Sequence, residues 1–167
     1  KQGANIKFNN LRKENNELRG DIFVKSSKIK PIKASKKYYV KSTDEYPILF
    51  IIAALTKGIS TFKGIGDLAN KESNRIKEMQ KILKQVDIKS VSSGNELKIF
   101  GKEKIDIKGK KIIVPNLGDH RICMSSFVLS ILLGSKILIK NFETVYTSSP
   151  SFLNIMKLLG VKFEIRK

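Results

Sequence analysis

Cysteine and histidine each occur only once in this chain of 167 residues, as Cys123 and His120. A single thiol cannot form a disulfide within the chain, and such scarcity is typical of a protein in the reducing cytoplasm. One histidine and one cysteine also do not provide the ligands of a metal cluster made of soft donors. We therefore expect a cytoplasmic protein with no metal ion and no cofactor.

Long apolar runs, targeting segments and nucleotide-binding motifs are also missing. The longest apolar run, residues 48–55, is far shorter than the ~20 residues that cross a bilayer, so we expect no membrane partner. Gly64-Ile65-Gly66 lacks the third glycine and the strand–turn–helix spacing of a dinucleotide fingerprint, and no Walker sequence is present. No signal segment is visible, but the chain begins with Lys1 rather than Met, so we expect the native N-terminus to be missing.

Acidic residues and arginine are scarce, whereas lysine is abundant. The chain has 33 basic and 15 acidic residues, a net charge of +18, and only five of the basic residues are arginine. Arginine is the residue that binds phosphates and bases in bidentate fashion, and the lysines are spread along the chain rather than gathered in one stripe. This pattern favours a general composition bias without a specific nucleic-acid partner. A basic nucleic-acid-binding module stays open as an alternative from a different functional class.

Two stretches of the chain follow the same order of sequence patterns, about 75 positions apart. In the first, caps and apolar alternation predict a strand at 38–41, a helix from Asp44 to Leu55, a strand at 58–62, a helix at 71–85, and strands at 87–91 and 96–100. In the second, they predict a strand at 111–114, a helix from Asp119 to Leu133, a strand at 136–139, a helix from Ser149 to Gly160, and a strand at 161–165. Each stretch is a β-α-β-α-β unit, the first with an additional strand, so the predicted fold class is α/β.

The N-terminal segment has the pattern of the end of such a unit. Strands predicted at 4–8 and 21–24 flank a polar turn at 9–20, and a basic connector follows at 25–37. We therefore divide the chain into the tail of an incomplete unit at 1–37, a second unit at 38–101 and a third unit at 102–167. Together they form one partial domain, and we expect the earlier part of that domain to be absent.

The segment Lys71-Glu72-Ser73-Asn74-Arg75 is predicted to open a helix, with Lys71 and Arg75 one turn apart on the same face. Like charges at that spacing destabilise an isolated helix by roughly a few tenths of a kcal/mol, and the helix dipole also disfavours cations at the N-terminus. Stability therefore does not explain their placement. A bound anion would explain it, because the free backbone N–H groups and both side chains would point towards it.

Three polar clusters, at residues 44–45, 71–75 and 119–121, precede predicted helices. Each has an ordinary structural explanation when it is taken singly: Asp44 suits a helix N-cap, Glu72 complements the helix dipole, and His120 lies beside a cap. If the helices run parallel, however, their N-termini converge on one face. That face would combine cationic anion donors with two acid–base carboxylates: Lys71, Arg75 and Arg121 beside Asp44 and Glu72. Such an arrangement suits proton transfer on a small phosphorylated or carboxylated substrate.

Taken together, these motifs resemble the 5-enolpyruvylshikimate-3-phosphate (EPSP) synthase family. The resemblance covers almost the whole chain and rests on segments in the order and spacing of the family: Asp44-Glu45-Tyr46-Pro47, Lys71-Glu72-Ser73-Asn74-Arg75, Asp119-His120-Arg121-Ile122-Cys123-Met124 and Thr147-Ser148-Ser149-Pro150. Because family chains are much longer, the chain looks like their C-terminal portion. The resemblance implies repeated βαβαββ units that form most of one domain of the inside-out α/β barrel of enolpyruvyl transferases, with parallel buried helices.

The resemblance also implies a reaction and its substrates. The enolpyruvyl (carboxyvinyl) group of phosphoenolpyruvate moves to the 5-hydroxyl of shikimate 3-phosphate, and phosphate leaves through a tetrahedral intermediate, in chorismate and aromatic amino-acid biosynthesis. By resemblance, Asp44 takes the hydroxyl proton, Lys71 lies at the site of proton transfer, and Glu72 protonates the methylene carbon. Substrate binding is assigned to Asp44, Asp67 and Lys71 for shikimate 3-phosphate, and to Arg75, His120 and Arg121 for phosphoenolpyruvate.

Three positions depart from the family pattern. Ala69 stands where an arginine is usual, Asn74 replaces a usual aspartate, and Thr147 stands where some members have a lysine that contacts phosphoenolpyruvate. The missing N-terminal part supplies most contacts to the shikimate phosphate in the family, so we expect this chain to be inactive alone. A UDP-N-acetylglucosamine enolpyruvyl transferase is the alternative among enzymes, although the Lys-Glu-Ser and Asp-His-Arg segments disfavour it.

Overall fold

Strands and helices alternate along the chain in the computed structural model, which describes residues 2–107 and 109–166. The strands are β1 (Asn5–Glu14), β2 (Glu17–Lys25), β3 (Lys33–Ala34), β4 (Gly58–Lys63), β5 (Lys89–Ser93), β6 (Glu96–Gly101), β7 (Lys111–Val114) and β8 (Lys136–Ile139). The helices are α1 (Lys36–Ser42), α2 (Tyr46–Ala54), α3 (Arg75–Gln85), α4 (His120–Leu133) and α5 (Phe152–Leu158), with short 3-10 turns at Thr43–Glu45, Gly66–Asn70 and Phe142–Val145. The predicted α/β fold class is confirmed.

Within the described residues, the strands form three separate sheets. β1 and β2 form an antiparallel hairpin, β3-β4-β6-β5 is the order of a four-stranded sheet, and β7 and β8 form a parallel pair. β3 is parallel to β4 with α1 and α2 between them in sequence, and β7 is parallel to β8 with α4 between them. The same strand–helix–strand crossover therefore occurs twice. The division of the chain into units at 1–37, 38–101 and 102–167 stays a prediction.

The core lies where three helices meet the four-stranded sheet. α2 and α4 are apolar on nearly all sides, which is typical of helices that are buried within a domain. They pack against each other and against α3, whose apolar side also contacts β5. At the centre, Tyr46, Phe50 and Phe62 contact one another edge to face, with ring centroids 4.9 to 6.0 Å apart. Because Tyr46 is the first residue of α2, this cluster fixes the preceding 3-10 turn, Thr43–Glu45, which carries Asp44.

Several predicted element boundaries are confirmed. α4 begins after Asp119 and ends at Leu133, and Gly134 follows it in the left-handed region, with φ of +61. Glycine has no Cβ, so it adopts this conformation without steric cost and ends the helix there. β7 and β8 also lie at their predicted positions. Every helix within residues 2–107 and 109–166 is too short or too polar to cross a bilayer.

The predicted strand at residues 38–41 is wrong, because the segment belongs to helix α1. Tyr39 is buried, and its ring packs edge to face on Tyr46 with 5.2 Å between centroids. Tyr38 and Val40 are exposed on either side of it. One buried side chain between two exposed ones fits a helical turn as well as a strand, so four residues were too few to distinguish the two periods.

The polar turn predicted at residues 9–20 is also wrong, since β1 and β2 continue through most of that segment. The connection is a tight turn at Asn15-Asn16, where both residues have positive φ, 48 and 64. This backbone conformation matches the twist of a two-stranded hairpin, and asparagine tolerates it better than most residues. A register shift between Asn9 and Arg12 interrupts the pairing.

Two predictions near the C-terminus differ from the structure. The last helix begins at Phe152 with Ser151 as its N-cap, rather than at Ser149-Pro150. A turn in which the amide of Phe152 bonds the carbonyl of Ser149, at 3.1 Å, occupies the predicted start. The described residues of the segment 161–165 form no strand. Phe163 of this segment packs on the ring of Phe127 instead. The apolar residue of the alternating pattern therefore makes an aromatic contact and not the contacts of a strand in a sheet.

Candidate active site

The start of α3 differs from its predicted position. Asn74 is the N-cap, and its side-chain oxygen accepts a hydrogen bond from the amide of Lys77 at 3.0 Å. Arg75 is therefore the first helical residue, and Lys71 follows the 3-10 turn Gly66–Asn70 in an extended conformation. Asparagine stops the helix from extending backwards because its side chain replaces the backbone acceptor that an earlier turn would supply. The prediction that Lys71 and Arg75 share one helix face is wrong.

Arg75 is the centre of a carboxylate network. Its side chain is 1% exposed, and three carboxylates surround it: Nε lies 3.0 Å from Asp119 Oδ2, Nη1 3.0 Å from Asp44 Oδ1, and Nη2 2.7 Å from Glu72 Oε2. Burial disfavours the charge, but the hydrogen bonds to Asp119 and Asp44 outweigh it, so the pKa of Arg75 is raised above its ordinary value. One buried cation thus holds both predicted acid–base residues, Asp44 and Glu72.

Asp119 contributes the buried end of this network. It is 0% exposed, and its Oδ1 accepts hydrogen bonds from the first-turn amides of Arg121 (3.0 Å) and Ile122 (3.3 Å). Its Oδ2 accepts from Ser73 Oγ at 2.9 Å and from Arg75 Nε. The predicted N-cap is confirmed. The same carboxylate also bonds Ser73, just before α3, and Arg75, its first residue, and sequence reasoning missed these contacts.

Arg121 lies on the other side of Asp44. Its Nη1 is 2.9 Å from Glu45 Oε1 and its Nη2 is 3.8 Å from Asp44 Oδ2, while the described residues offer no hydrogen-bond partner to its buried Nε. The hydrogen bond from Arg75 is the main reason why the pKa of Asp44 is below its ordinary value, and the charges of Arg121 and Lys71 lower it further. Asp44 was predicted as a helix cap, but α2 has no side-chain cap, so this prediction is wrong.

Lys71 and Asp67 form a second polar group beside this network. Lys71 Nζ is 3.4 Å from Asp67 Oδ2, and the same oxygen accepts a hydrogen bond from the hydroxyl of Tyr39 at 3.0 Å. Burial, together with this hydrogen bond, raises the pKa of Tyr39 to about 12. Tyr39 therefore holds the carboxylate that pairs with Lys71, a role that its misassigned strand position did not indicate.

The structure brings most of the predicted site residues together. Asp44, Glu72, Arg75 and Arg121 are joined by direct contacts, and Lys71 is close enough to affect the pKa of Asp44. His120 is the first residue of α4, between the network residues Asp119 and Arg121. Thr147, which stands in place of a lysine in some family members, donates its hydroxyl to the carbonyl of Thr144 at 2.8 Å.

Solved structures share this arrangement of strands and helices, which is the fold of enolpyruvyl transferases. An EPSP synthase from Acinetobacter baumannii superposes on 98% of this chain with a TM-score of 0.83 and 30% identity, and the match covers 38% of that chain. The enolpyruvyl transferase NikO from Streptomyces tendae superposes on 95% of this chain with a TM-score of 0.59 at 12% identity, and the match covers 33% of that chain. The latter similarity concerns the fold alone.

Sequence comparison then identifies the particular family. The family model described as EPSP synthase (3-phosphoshikimate 1-carboxyvinyltransferase) matches residues 4–156, so the chain belongs to the EPSP synthase family. It is 34% identical to the 3-phosphoshikimate 1-carboxyvinyltransferase of Zymomonas mobilis over 98% of its own length and 36% of that relative. It is 36% identical to the enzyme of the same name from Petrotoga mobilis over 93% of its own length and 35% of that relative. The chain thus spans about a third of the length of these relatives.

Proposed function

We propose that this chain carries the proton-transfer part of an EPSP synthase active site. The observation that carries the proposal is the direct pairing of Asp44 and Glu72 with the buried Arg75, with Arg121 next to Asp44. Such a cluster places two carboxylates at fixed positions beside an anion-binding guanidinium. The reaction is the transfer of the enolpyruvyl group of phosphoenolpyruvate to the 5-hydroxyl of shikimate 3-phosphate.

The addition step uses both carboxylates. Asp44 accepts the proton of the 5-hydroxyl while the hydroxyl oxygen forms a bond to C2 of phosphoenolpyruvate. Glu72 enters this step in its protonated form and gives its proton to C3 as the electron pair of the double bond shifts there, which gives a tetrahedral intermediate. In the elimination step the Glu72 carboxylate takes a proton back from C3 as the bond from C2 to the phosphate oxygen breaks, and the phosphate departs with the proton that Asp44 had accepted. Lys71, which pairs with Asp67 at 3.4 Å, is the residue that we assign to contact shikimate 3-phosphate.

The two arginines differ in how accessible they are to an anion. Arg121 is 29% exposed on its side chain, so a substrate carboxylate can reach its guanidinium directly. Arg75 is 1% exposed and bonds three carboxylates. For Arg75 to bind phosphoenolpyruvate as well, the substrate carboxylate must replace Asp44 or Glu72 as its partner. We propose that only one of these two carboxylates is displaced at a time, so that Asp119 and the other carboxylate keep Arg75 in place.

The charge of the site explains why we expect this chain to need a partner segment. Three cations, Lys71, Arg75 and Arg121, meet five carboxylates in the contacts described above, which gives a local charge of −2 in a chain of +18. Two phosphorylated substrates need additional cations for their phosphates. We propose that the remaining two thirds of an EPSP synthase polypeptide supplies them, and that this chain alone has no turnover.

A complementation assay tests this function. The chain is co-expressed with the N-terminal two thirds of the Zymomonas mobilis relative, and phosphate release is measured with both substrates. We expect turnover only when both parts are present, and a loss of about 10²–10⁴-fold in Asp44→Asn and Glu72→Gln, because general acid–base catalysis contributes that much. Glu164→Gln, a change at an exposed carboxylate that pairs with Arg166, is the matched control and should retain activity.

Two outcomes would contradict the proposal. Turnover by this chain alone would show that no partner segment is needed. Equal activity of Asp44→Asn and the control would remove the assigned role of that carboxylate. Replacing shikimate 3-phosphate with UDP-N-acetylglucosamine in the same assay tests the alternative transferase, and phosphate release with that acceptor would favour it.

A further inference from the structure

The buried carboxylate of Asp119 makes more contacts than a helix cap requires. One oxygen caps α4 by accepting two amide hydrogen bonds, as N-cap residues commonly do. The other oxygen bonds Ser73 and Arg75, which lie more than 40 residues earlier in the chain. Both oxygens are therefore saturated, and the carboxylate joins the start of α4 to the start of α3.

Asp119 is also the fixed member of the arginine network. The side chains of Asp44 and Glu72 are 55% and 45% exposed, whereas that of Asp119 is 0% exposed. A buried guanidinium needs a buried counter-charge, because water cannot stabilise it and because exposed carboxylates are screened. Asp119 is therefore the partner that keeps Arg75 inside, and Asp44 and Glu72 take their positions from Arg75.

We infer that Asp119 is a positioning residue for the proposed transferase reaction: through Arg75 and the cap of α4 it sets where Asp44, Glu72 and Arg121 stand relative to one another. Arg121 follows it by two residues in the first turn of α4, and its amide bonds the same carboxylate. One buried side chain thus fixes both arginines and, through one of them, both acid–base carboxylates. This inference rests on the proposed function for its catalytic consequence but not for its structural one.

Substitutions can separate the cap from the positioning role. Asparagine and threonine are both good N-cap residues, so Asp119→Asn and Asp119→Thr retain the cap of α4. The asparagine amide presents a donor where Arg75 and Ser73 need an acceptor, and threonine lacks the second oxygen that reaches them. Leu129→Ala is the control, because Leu129 is a fully buried residue of α4 whose truncation weakens the helix without contact to the network.

The first readout is the titration of Asp44 in this chain by carbon-detected nuclear magnetic resonance. Arg75, Arg121 and Lys71 all favour the ionised form of Asp44, and the bond to Arg75 has the largest effect. Without Asp119 the guanidinium loses its buried partner and moves towards water, so we expect the pKa of Asp44 to rise towards its ordinary value in both Asp119 variants. The pKa should be unchanged in Leu129→Ala.

Two results of this titration would overturn the inference. An unchanged pKa of Asp44 in both Asp119 variants would show that Arg75 stays in place without its buried partner. An equal rise in Leu129→Ala would show that general loosening of α4, rather than loss of Asp119, causes the shift. If one Asp119 variant does not fold, as judged by circular dichroism, the other gives the same readout.

The second readout is turnover in the complemented enzyme. A misplaced catalytic group can reduce the rate by about 100-fold, so we expect kcat of Asp119→Asn to fall by that order, with a smaller change in KM. Unchanged kcat together with a raised pKa of Asp44 would contradict the catalytic part of the inference. Failure of the proposed function is distinct from this result, because then the wild-type complemented enzyme would itself show no turnover while the titration would still respond to Asp119.

Discussion

At the scale of single residues, Arg75 is the most constrained side chain of the site. Buried arginine is rare because desolvation of the guanidinium is unfavourable, and it persists where carboxylates with good geometry surround it. Here two of the three surrounding carboxylates, those of Asp44 and Glu72, are the ones that the proposed chemistry needs. The stability of the fold and the geometry of the site therefore depend on the same contacts.

This dependence predicts a large loss of stability in Arg75→Met. The substitution leaves Asp119 buried without its counter-charge, and breaking a buried pair in this way lowers the free energy of unfolding by about 3–5 kcal/mol. Lys81→Met in the same helix breaks an exposed pair with Glu78 and should change it by less than about 1 kcal/mol. Urea denaturation of both variants gives the comparison. A loss in Arg75→Met as small as that of the control would show that the network does not stabilise the fold.

The lowered pKa of Asp44 leads to a second prediction for a single residue, a pH dependence of the free energy of unfolding. Its pKa is lowered in the folded protein, mainly by Arg75, so its contribution is present above the ordinary pKa of an aspartate. That contribution is lost as the pH falls through the lowered pKa of the folded state. We expect wild type to be more stable than Asp44→Asn at pH 6, with the difference shrinking towards pH 2, as measured by urea denaturation. A constant difference over this range would contradict the assigned pairing.

At the scale of elements, caps and helix ends position the site. α4 begins at His120 after its cap Asp119, and α3 begins at Arg75, so the first turns of two helices carry Arg121 and Arg75, the arginines that we propose bind the substrate anion. α2 contributes differently, because its buried aromatic residues anchor the 3-10 turn that holds Asp44. The helix N-termini therefore converge, as the sequence predicts. Of the three polar clusters, only the one at residues 119–121 caps its helix with a carboxylate, that of Asp119.

The C-terminal end of α4 depends on Gly134 for its stability. Its φ of +61 lies in the left-handed region, and a Cβ at this position has no described atom within 4 Å. The effect of Gly134→Ala is therefore one of backbone conformation without a clash, and we expect about 1–2 kcal/mol of destabilisation. Leu132→Ala, at an exposed position of the same helix, should have little effect in the same thermal or urea denaturation. No loss in Gly134→Ala would mean that the helix end adopts another conformation.

At the scale of the whole molecule, stability is uneven. The β1–β2 hairpin has exposed apolar side chains on paired positions, including Ile6 opposite Val24 and Phe8 opposite Ile22. An isolated two-stranded hairpin is marginally stable in water, whereas β4 and β6 are covered by the helical core. The hairpin therefore depends on its own hydrogen bonds far more than the four-stranded sheet does.

Amide hydrogen exchange tests this difference. We expect the amides of β1 and β2 to exchange much faster than those of β4 and β6 in this chain, because local opening of the hairpin exposes no additional core. The paired strands β4 and β6 provide the internal control in the same measurement. Equal protection of the hairpin and the sheet would contradict this expectation and would indicate that the hairpin is packed against other parts of the molecule.

The sequence by itself determined the class of fold and the composition of the site. The apolar helices α2 and α4, the cap at Asp119 and the glycine after Leu133 follow from local preferences, which act over a few residues and are visible in the chain. The motifs carried by Lys71–Arg75 and Asp119–Arg121 likewise indicate the family to which the chain belongs. The family match over residues 4–156 agrees with them.

Only the tertiary structure decided which of these residues contact one another. The burial of Arg75 and the second role of Asp119 depend on side chains more than 30 residues apart, and no local pattern specifies such pairs. Tyr39 shows the same limit, because its packing on Tyr46 and its bond to Asp67 are contacts that a helix makes with other elements, in a segment whose alternation predicted a strand. Helix and strand propensities differ by about a fraction of a kcal/mol per residue, and long-range packing overrides them. Such packing cannot be deduced from residues that are adjacent in the sequence.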